Sequence, residues 1–299
     1  MVKRLSVSQY VPVFEKLPRE FDGFVVAHIA DLHNADFGGR LEDEIAKQKP
    51  GIIVMTGDIV SFEDRYANAL ALVKSLAGVA PVFYVNGNHE GRFKDYDKWR
   101  VLLQDNGVIC LENKTYVLTR GGKKIAVIGI NDPSFFKSAH RHCERQRSNP
   151  GMKVCIKLCN TPSLDCFVAN APRNDGNKKQ QFKQALSRLS CALPDNTFKI
   201  LLSHRPEFFP FYAGLGIDLT FSGHAHGGQI RLPLPGRFGS LYAPGQGVFP
   251  KYVTGLCRIG DSYMSASRGL GHITFRMPPR IFNKPELVFV KLQKRRQSF

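Results

Sequence analysis

A chain of 299 residues, 43% hydrophobic and 22% charged, has the composition of a globular protein and excludes a disordered or fibrous polymer; its length leaves room for one large α/β domain or two small ones. The net charge of +17 favours polyanionic partners (phosphorylated substrates, nucleic acid or an anionic membrane surface) without choosing among them. Nucleic acid is disfavoured because no stacking aromatics interleave the basic residues, and no stretch approaches the ~18 consecutive apolar residues of a membrane span.

In chain order, Phe24–Ala30 reads as a short apolar strand ending at Asp31. Arg40–Lys49 reads as a helix stopped by Pro50, and Gly51–Thr56 as a buried strand ending at Gly57-Asp58. Glu63–Leu76 is helical by spacing, with Gly78 as its stop, and Pro81–Val85 is a third strand running into Asn86-Gly87-Asn88-His89. A helix at Asp95–Gln104 precedes strands at Thr115–Thr119 and Lys124–Ile130. In the second half, Lys179–Arg188 is a helix, and strands at Phe198–Ser203 and Ile217–Ser222 deliver His204 and Gly223-His224-Ala225-His226. Gln229–Leu234, Val253–Arg258, Tyr263–Ser267 and Leu287–Leu292 read as further strands between Gly- and Pro-rich turns. Strand–helix alternation marks a layered α/β fold whose ligands collect at the carboxyl ends of strands.

Ser138–Lys178 breaks this pattern. It has no helical or strand period over most of its length, and from Lys137 to Lys179 nine Lys/Arg stand against three acidic residues. A structureless run of that length inside one domain is unusual. It reads as a late irregular insert in a single domain spanning 1–299, with a basic lid as the alternative. Of the seven cysteines, Cys110, Cys191 and Cys257 read as reduced core residues. Cys143, Cys155, Cys159 and Cys166 lie in the insert without C-x-x-C pairing, and a reducing intracellular compartment accounts for all seven.

Five short blocks each follow a predicted strand: Asp31-Leu32-His33, Gly57-Asp58, Gly87-Asn88-His89-Glu90, His204 and Gly223-His224-Ala225-His226. Together they supply two carboxylates, one amide oxygen and four imidazoles as metal ligands, with a fifth imidazole left over. Mixed donors of that count suit two borderline divalent cations sharing a bridge, and Mn, Fe, Co and Zn all accept them. Two such ions about 3.5–4 Å apart form the clamp used in phosphate-ester hydrolysis.

In these blocks the chain resembles the calcineurin-like metallophosphoesterases, whose signature is D-x-H, G-D, G-N-H-E, H and G-H-x-H. The resemblance runs from about Leu17 to the C-terminus, interrupted by the insert. It implies two stacked mixed β-sheets flanked by helices. It also implies that Asp31, His33, Asp58 and His226 surround one ion, that Asp58, Asn88, His204 and His224 surround the other, and that His89 protonates the leaving group. Arg92 and Arg205 are candidates for holding a phosphoryl oxygen, and His28 reads as a core group. Asp31-Leu32-His33-Asn34, Gly223–Gln229 and Ser267-Arg268-Gly269-Leu270-Gly271 resemble the often membrane-attached bacterial branch that includes UDP-2,3-diacylglucosamine pyrophosphatases of lipid A synthesis. The expectation is therefore a dinuclear hydrolase of a lipid- or nucleotide-linked phosphodiester or pyrophosphate. A general phosphomonoesterase, a cyclic-nucleotide phosphodiesterase and a silent binding scaffold are the alternatives. The N-terminus lacks a signal-peptide core, so the expected location is cytoplasmic, soluble or peripheral at the inner membrane, unless an upstream start codon adds an anchor.

Overall fold

The computed structural model describes residues 5–136, 175–232, 239–271 and 280–296. Strands β1 (Ser6–Tyr10), β2 (Val13–Phe14) and β3 (Val25–Ile29) lead into helix α1 (Arg40–Gln48) and strand β4 (Ile52–Thr56). Helix α2 (Ala67–Ala77), strand β5 (Val82–Val85), helix α3 (Tyr96–Asp105) and strands β6 (Val108–Cys110), β7 (Lys114–Arg120) and β8 (Lys123–Gly129) follow. The second half contains α4 (Asp175–Cys191), β9 (Lys199–Leu202), α5 (Phe209–Gly214) and β10 (Leu219–Ser222). It continues with β11 (Tyr242–Ala243), β12 (Gly247–Val248), β13 (Gly255–Ile259), β14 (Ser262–Ala266), β15 (Glu286–Lys291) and β16 (Gln293–Lys294).

Two six-stranded mixed sheets result, one in the order β1-β15-β3-β4-β5-β6 and the other β13-β14-β10-β9-β8-β7. In the first, β3, β4 and β5 run parallel, and in the second β8, β9 and β10 do. The two sheets therefore each present carboxyl ends from which functional loops emerge. The alternation of apolar residues explains the stacking. Val26, Ile52, Val54, Phe83, Ile200, Leu202 and Phe221 fill one cluster from both sheets. The opposite faces of the first sheet pack on α1, α2 and α3 through Ala27, Ile53, Met55, Leu72 and Trp99. On the second sheet, Ile128, Leu201 and Met264 meet Phe182, Leu186 and Phe209 of α4 and α5. The expected two-sheet architecture is the one observed.

Element ends differ from expectation for local reasons. Helix α2 starts at Ala67 and not at Glu63, because the Glu63 carboxylate is engaged by the Lys94 and Asp95 N–H groups, at 3.0 and 2.9 Å. The α2 start is capped from afar: Asn34 Oδ1 accepts the Ala69 N–H at 2.9 Å. Gln229–Leu234 forms no strand over its described part, only isolated bridges Ile230↔Ile281 and Arg231↔Ser240. Positive φ at Gly227, Gly228 and Gln229 turns the chain before a ladder can form. Helix α4 begins at Asp175, so residues 175–178 are helical; Gly176 and Asn177, poor helix formers, hid this first turn. The rest of the expected insert, with its four cysteines, His140 and His142, lies outside the described residues, as does His272. Of the three expected core cysteines, Cys110 is buried and Cys257 half-buried, but Cys191 is exposed at the end of α4. No helix among the described residues is long and apolar enough to cross a membrane.

Candidate metal centre

The loops leaving β3 and β4 are stitched together, with Asp31 N–H donating to Gly57 O, His33 N–H to Asp58 O and Asn34 N–H to Ile59 O. The loop after β5 joins them at very close range. A Cβ on Gly87 would lie 2.3 Å from Asp58 Oδ1, so only glycine lets this backbone reach the carboxylate. The Ser267–Gly271 segment packs beneath Asp31 for the same reason, since a Cβ on Gly271 would lie 2.0 Å from Leu32 O. Asp31, His33, Asp58, His224 and His226 all adopt positive φ, between 47° and 64°. Left-handed backbone at non-glycine residues is sparsely populated and gathers at functional sites.

Two ligand sets result, within each of which donor atoms of all the members lie within 4.8 Å of one another: Asp31, His33, Asp58 and His226, and Asp58, His204 and His224. Asp58 belongs to both. In the first, His226 Nε2 lies 3.2 Å from His33 Nε2 and 3.6 Å from Asp31 Oδ1. In the second, His204 Nε2 lies 3.4 Å from Asp58 Oδ2 and 3.2 Å from both His224 Nδ1 and Asn88 Oδ1, so Asn88 joins this set. His89 stands outside both. Its Nε2 is 3.9 Å from Asp58 Oδ2, and its side chain is 13% exposed where that of His33 is 1% and that of His204 is 0%.

Hydrogen bonds behind the rings decide which nitrogens face inward. His204 Nδ1–H donates to Thr56 O at 2.8 Å, and His33 Nδ1 meets Ser61 Oγ at 2.6 Å, leaving Nε2 of each for the site. The His224 N–H donates to both Asp31 oxygens, at 3.0 and 2.9 Å. Burial pushes the His33 ring down to about 3 and holds His224 and His226 well below the usual histidine range, so these imidazoles are neutral and offer lone pairs at neutral pH. His204 goes the other way. Burial opposes its charge, but Asp58, Asp31 and Asp132 raise it to about 10. A buried site that draws a proton onto an imidazole draws cations by the same field. Despite burial, His204, His89 and His33 hold Asp58 well below the ordinary carboxylate range. This donor set fits two divalent cations. His28, in the core as expected, bonds Thr56 Oγ1 through Nε2 at 2.8 Å, and burial pushes it down to about 3.

The two arginine candidates part company. Arg92 is exposed beyond Glu90. Arg205 has its guanidinium fork on Asp132, Nε to Oδ2 at 2.5 Å and Nη2 to Oδ1 at 3.2 Å, while Nη1 lies 2.7 Å from His224 Nε2. It is built into the site wall and has no open fork.

The residues that hold the blocks together carry no pattern that a single block displays. Buried Glu90 accepts N–H groups from Asp58, Ile59, Val60 and Gly87, at 2.7–3.3 Å, tying the β4 and β5 loops into one frame. Its place in Gly-Asn-His-Glu was the only signal. Arg280 Nη2 sits 3.2 Å from His226 Nδ1, and Asp132 anchors Arg205; neither has a sequence mark. Glu90→Ala is expected to lower stability by about 4 kcal/mol or more, since it leaves four buried donors unpaired at ~1–3 kcal/mol each. Thermal melts read this directly, and an unchanged Tm would contradict the frame role.

Sheets stacked in this order, carrying a buried nitrogen–oxygen site shared through one carboxylate, define a metal-dependent phosphoesterase. Residues 24–228 match the model of the Calcineurin-like phosphoesterase family, and the chain belongs to that family. It is 29% identical over 286 residues to the metallophosphoesterase YkuE of Bacillus subtilis, covering 93% of this chain and 82% of that one. It is 26% identical over 280 residues to the phosphodiesterase YaeI of Escherichia coli, covering 90% and 82%. Identity to the UDP-2,3-diacylglucosamine pyrophosphatase LpxG of Chlamydia muridarum is 26% over 297 residues, covering 89% and 85%.

Proposed function

We propose that this protein hydrolyses a phosphodiester or pyrophosphate bond in a lipid- or nucleotide-linked substrate, with UDP-2,3-diacylglucosamine as the leading candidate. The observation that carries the reaction class is the Asp58 carboxylate shared between two ligand sets. Two divalent cations held there would activate water for attack at neutral pH and would neutralise charge on the phosphoryl oxygens. Asp31, His33, Asp58 and His226 would hold one, and Asp58, Asn88, His204 and His224 the other. His89, at the open side of Asp58, is the proton donor to the departing oxygen.

For the substrate, support comes from the similarity to a phosphodiesterase and to a UDP-2,3-diacylglucosamine pyrophosphatase, each at 26% identity, and from the +17 charge. The metal-loaded protein is to be offered UDP-2,3-diacylglucosamine, bis(p-nitrophenyl) phosphate, p-nitrophenyl phosphate and a cyclic nucleotide. The proposal expects kcat/KM to be highest for the first, with UMP released. A preference for the monoester or the cyclic nucleotide would replace this substrate class. No turnover of any of the four would favour a binding scaffold.

A further inference from the structure

Leu232, Tyr242, Val248, Phe249, Ile281 and Phe282 are large apolar side chains that are 39–79% exposed. They sit on three segments bonded into one surface: Leu232 N–H donates to Gly239 O, Leu241 N–H to Ile230 O, Phe249 N–H to Leu241 O, and Arg231 N–H to Ile281 O. This surface borders the metal centre. Asn283 Nδ2 donates to His226 O, Ser240 Oγ to Gly227 O, and Arg280 reaches His226.

Phe249 and Phe282 are held at φ 51°, a backbone region costly for bulky side chains, and are 58% and 79% exposed. Strain that presents an aromatic ring to water contributes nothing to the fold. An exposed lysine follows each at the same spacing, in Phe249-Pro250-Lys251 and Phe282-Asn283-Lys284. Residues 229–232, 239–251 and 280–284 contain Arg231, Lys251, Arg280 and Lys284 and no acidic residue. Glu207, which packs beside Gly245, is paired with Arg205. A two-fold contact between copies through this surface would oppose like charges, whereas aromatic tips flanked by lysines suit the boundary between acyl chains and anionic headgroups.

We propose that this surface docks on an anionic phospholipid bilayer, with Phe249 and Phe282 inserted at the headgroup boundary, Lys251 and Lys284 on the lipid phosphates, and the metal centre brought to the membrane surface. This deepens the lipid-linked reading of the same site and rests on it for its use, but the docking is measured without that substrate.

The full chain is to be sedimented with vesicles of equimolar phosphatidylglycerol and phosphatidylcholine, and with phosphatidylcholine alone. Binding to the mixed vesicles is expected, weakening in 1 M salt as the screening length falls to ~3 Å. Phe249→Ser and Phe282→Ser should each lower vesicle affinity by about tenfold. Lys251→Glu with Lys284→Glu should abolish the preference for phosphatidylglycerol. All variants should keep wild-type metal content and hydrolysis of a soluble aryl phosphate, so a failure of docking is distinguishable from a failure of the active-site reading. The proposal is overturned if the wild type ignores mixed vesicles, if the phenylalanine variants bind them as well as the wild type, or if sedimentation equilibrium shows a dimer that those variants dissolve.

Discussion

Asp58→Ala is expected to leave the purified protein without either cation and to lower kcat/KM by at least ~10³-fold, which is about 4 kcal/mol of transition-state stabilisation. The reason is geometric. Asp58 is the residue common to both ligand sets, and its Oδ2 lies within 4.0 Å of His33, His89 and His204. Its Oδ1 also accepts the His89 N–H at 2.8 Å, so the substitution frees the loop that carries Asn88. A single-set change gives the contrast: Asn88→Ala touches only the His204 and His224 set and should leave close to one ion per chain. Elemental analysis of the wild type and both variants checks this. A wild type holding one ion, or an Asp58→Ala protein that keeps two, would contradict the bridge.

The second large effect belongs to His89. His89→Ala should keep its cations and lose about 10²–10⁴-fold in kcat on an alkyl leaving group, the range of general acid catalysis. On a p-nitrophenyl leaving group the loss should be much smaller, because that anion departs without a proton. The discrimination follows from position: the His89 ring is outside both ligand sets and is more exposed than the rings of His33 and His204. Equal losses on the two substrates would mean that His89 acts by orienting Asp58 and not by moving a proton.

The candidate ligands were legible because each comes within a few residues of the end of a short apolar strand, and strand ends can be read from local alternation. The frame that holds the ligands was not. Glu90 was visible as a letter in a block, but its four N–H partners come from two loops about thirty residues apart in sequence. The α2 cap is supplied by Asn34, from 35 residues upstream of the N–H it receives, so helical spacing alone carried the expected start back to Glu63. Arg205 is tied in the same way, to an Asp132 that lies 73 residues earlier in the chain.

What the sequence determined by itself was the layered α/β class, most of the sheet strands and the types of residue offered as donors, since periodicity and residue chemistry are local properties. What only the tertiary structure decided was which ring nitrogens face inward, which residues tie the ligand loops together, and that Phe249 and Phe282 stand exposed on a surface bordering His226. Those facts arise from contacts between segments up to about 190 residues apart, such as His33 with His226, and no local pattern encodes a distance that packing alone sets.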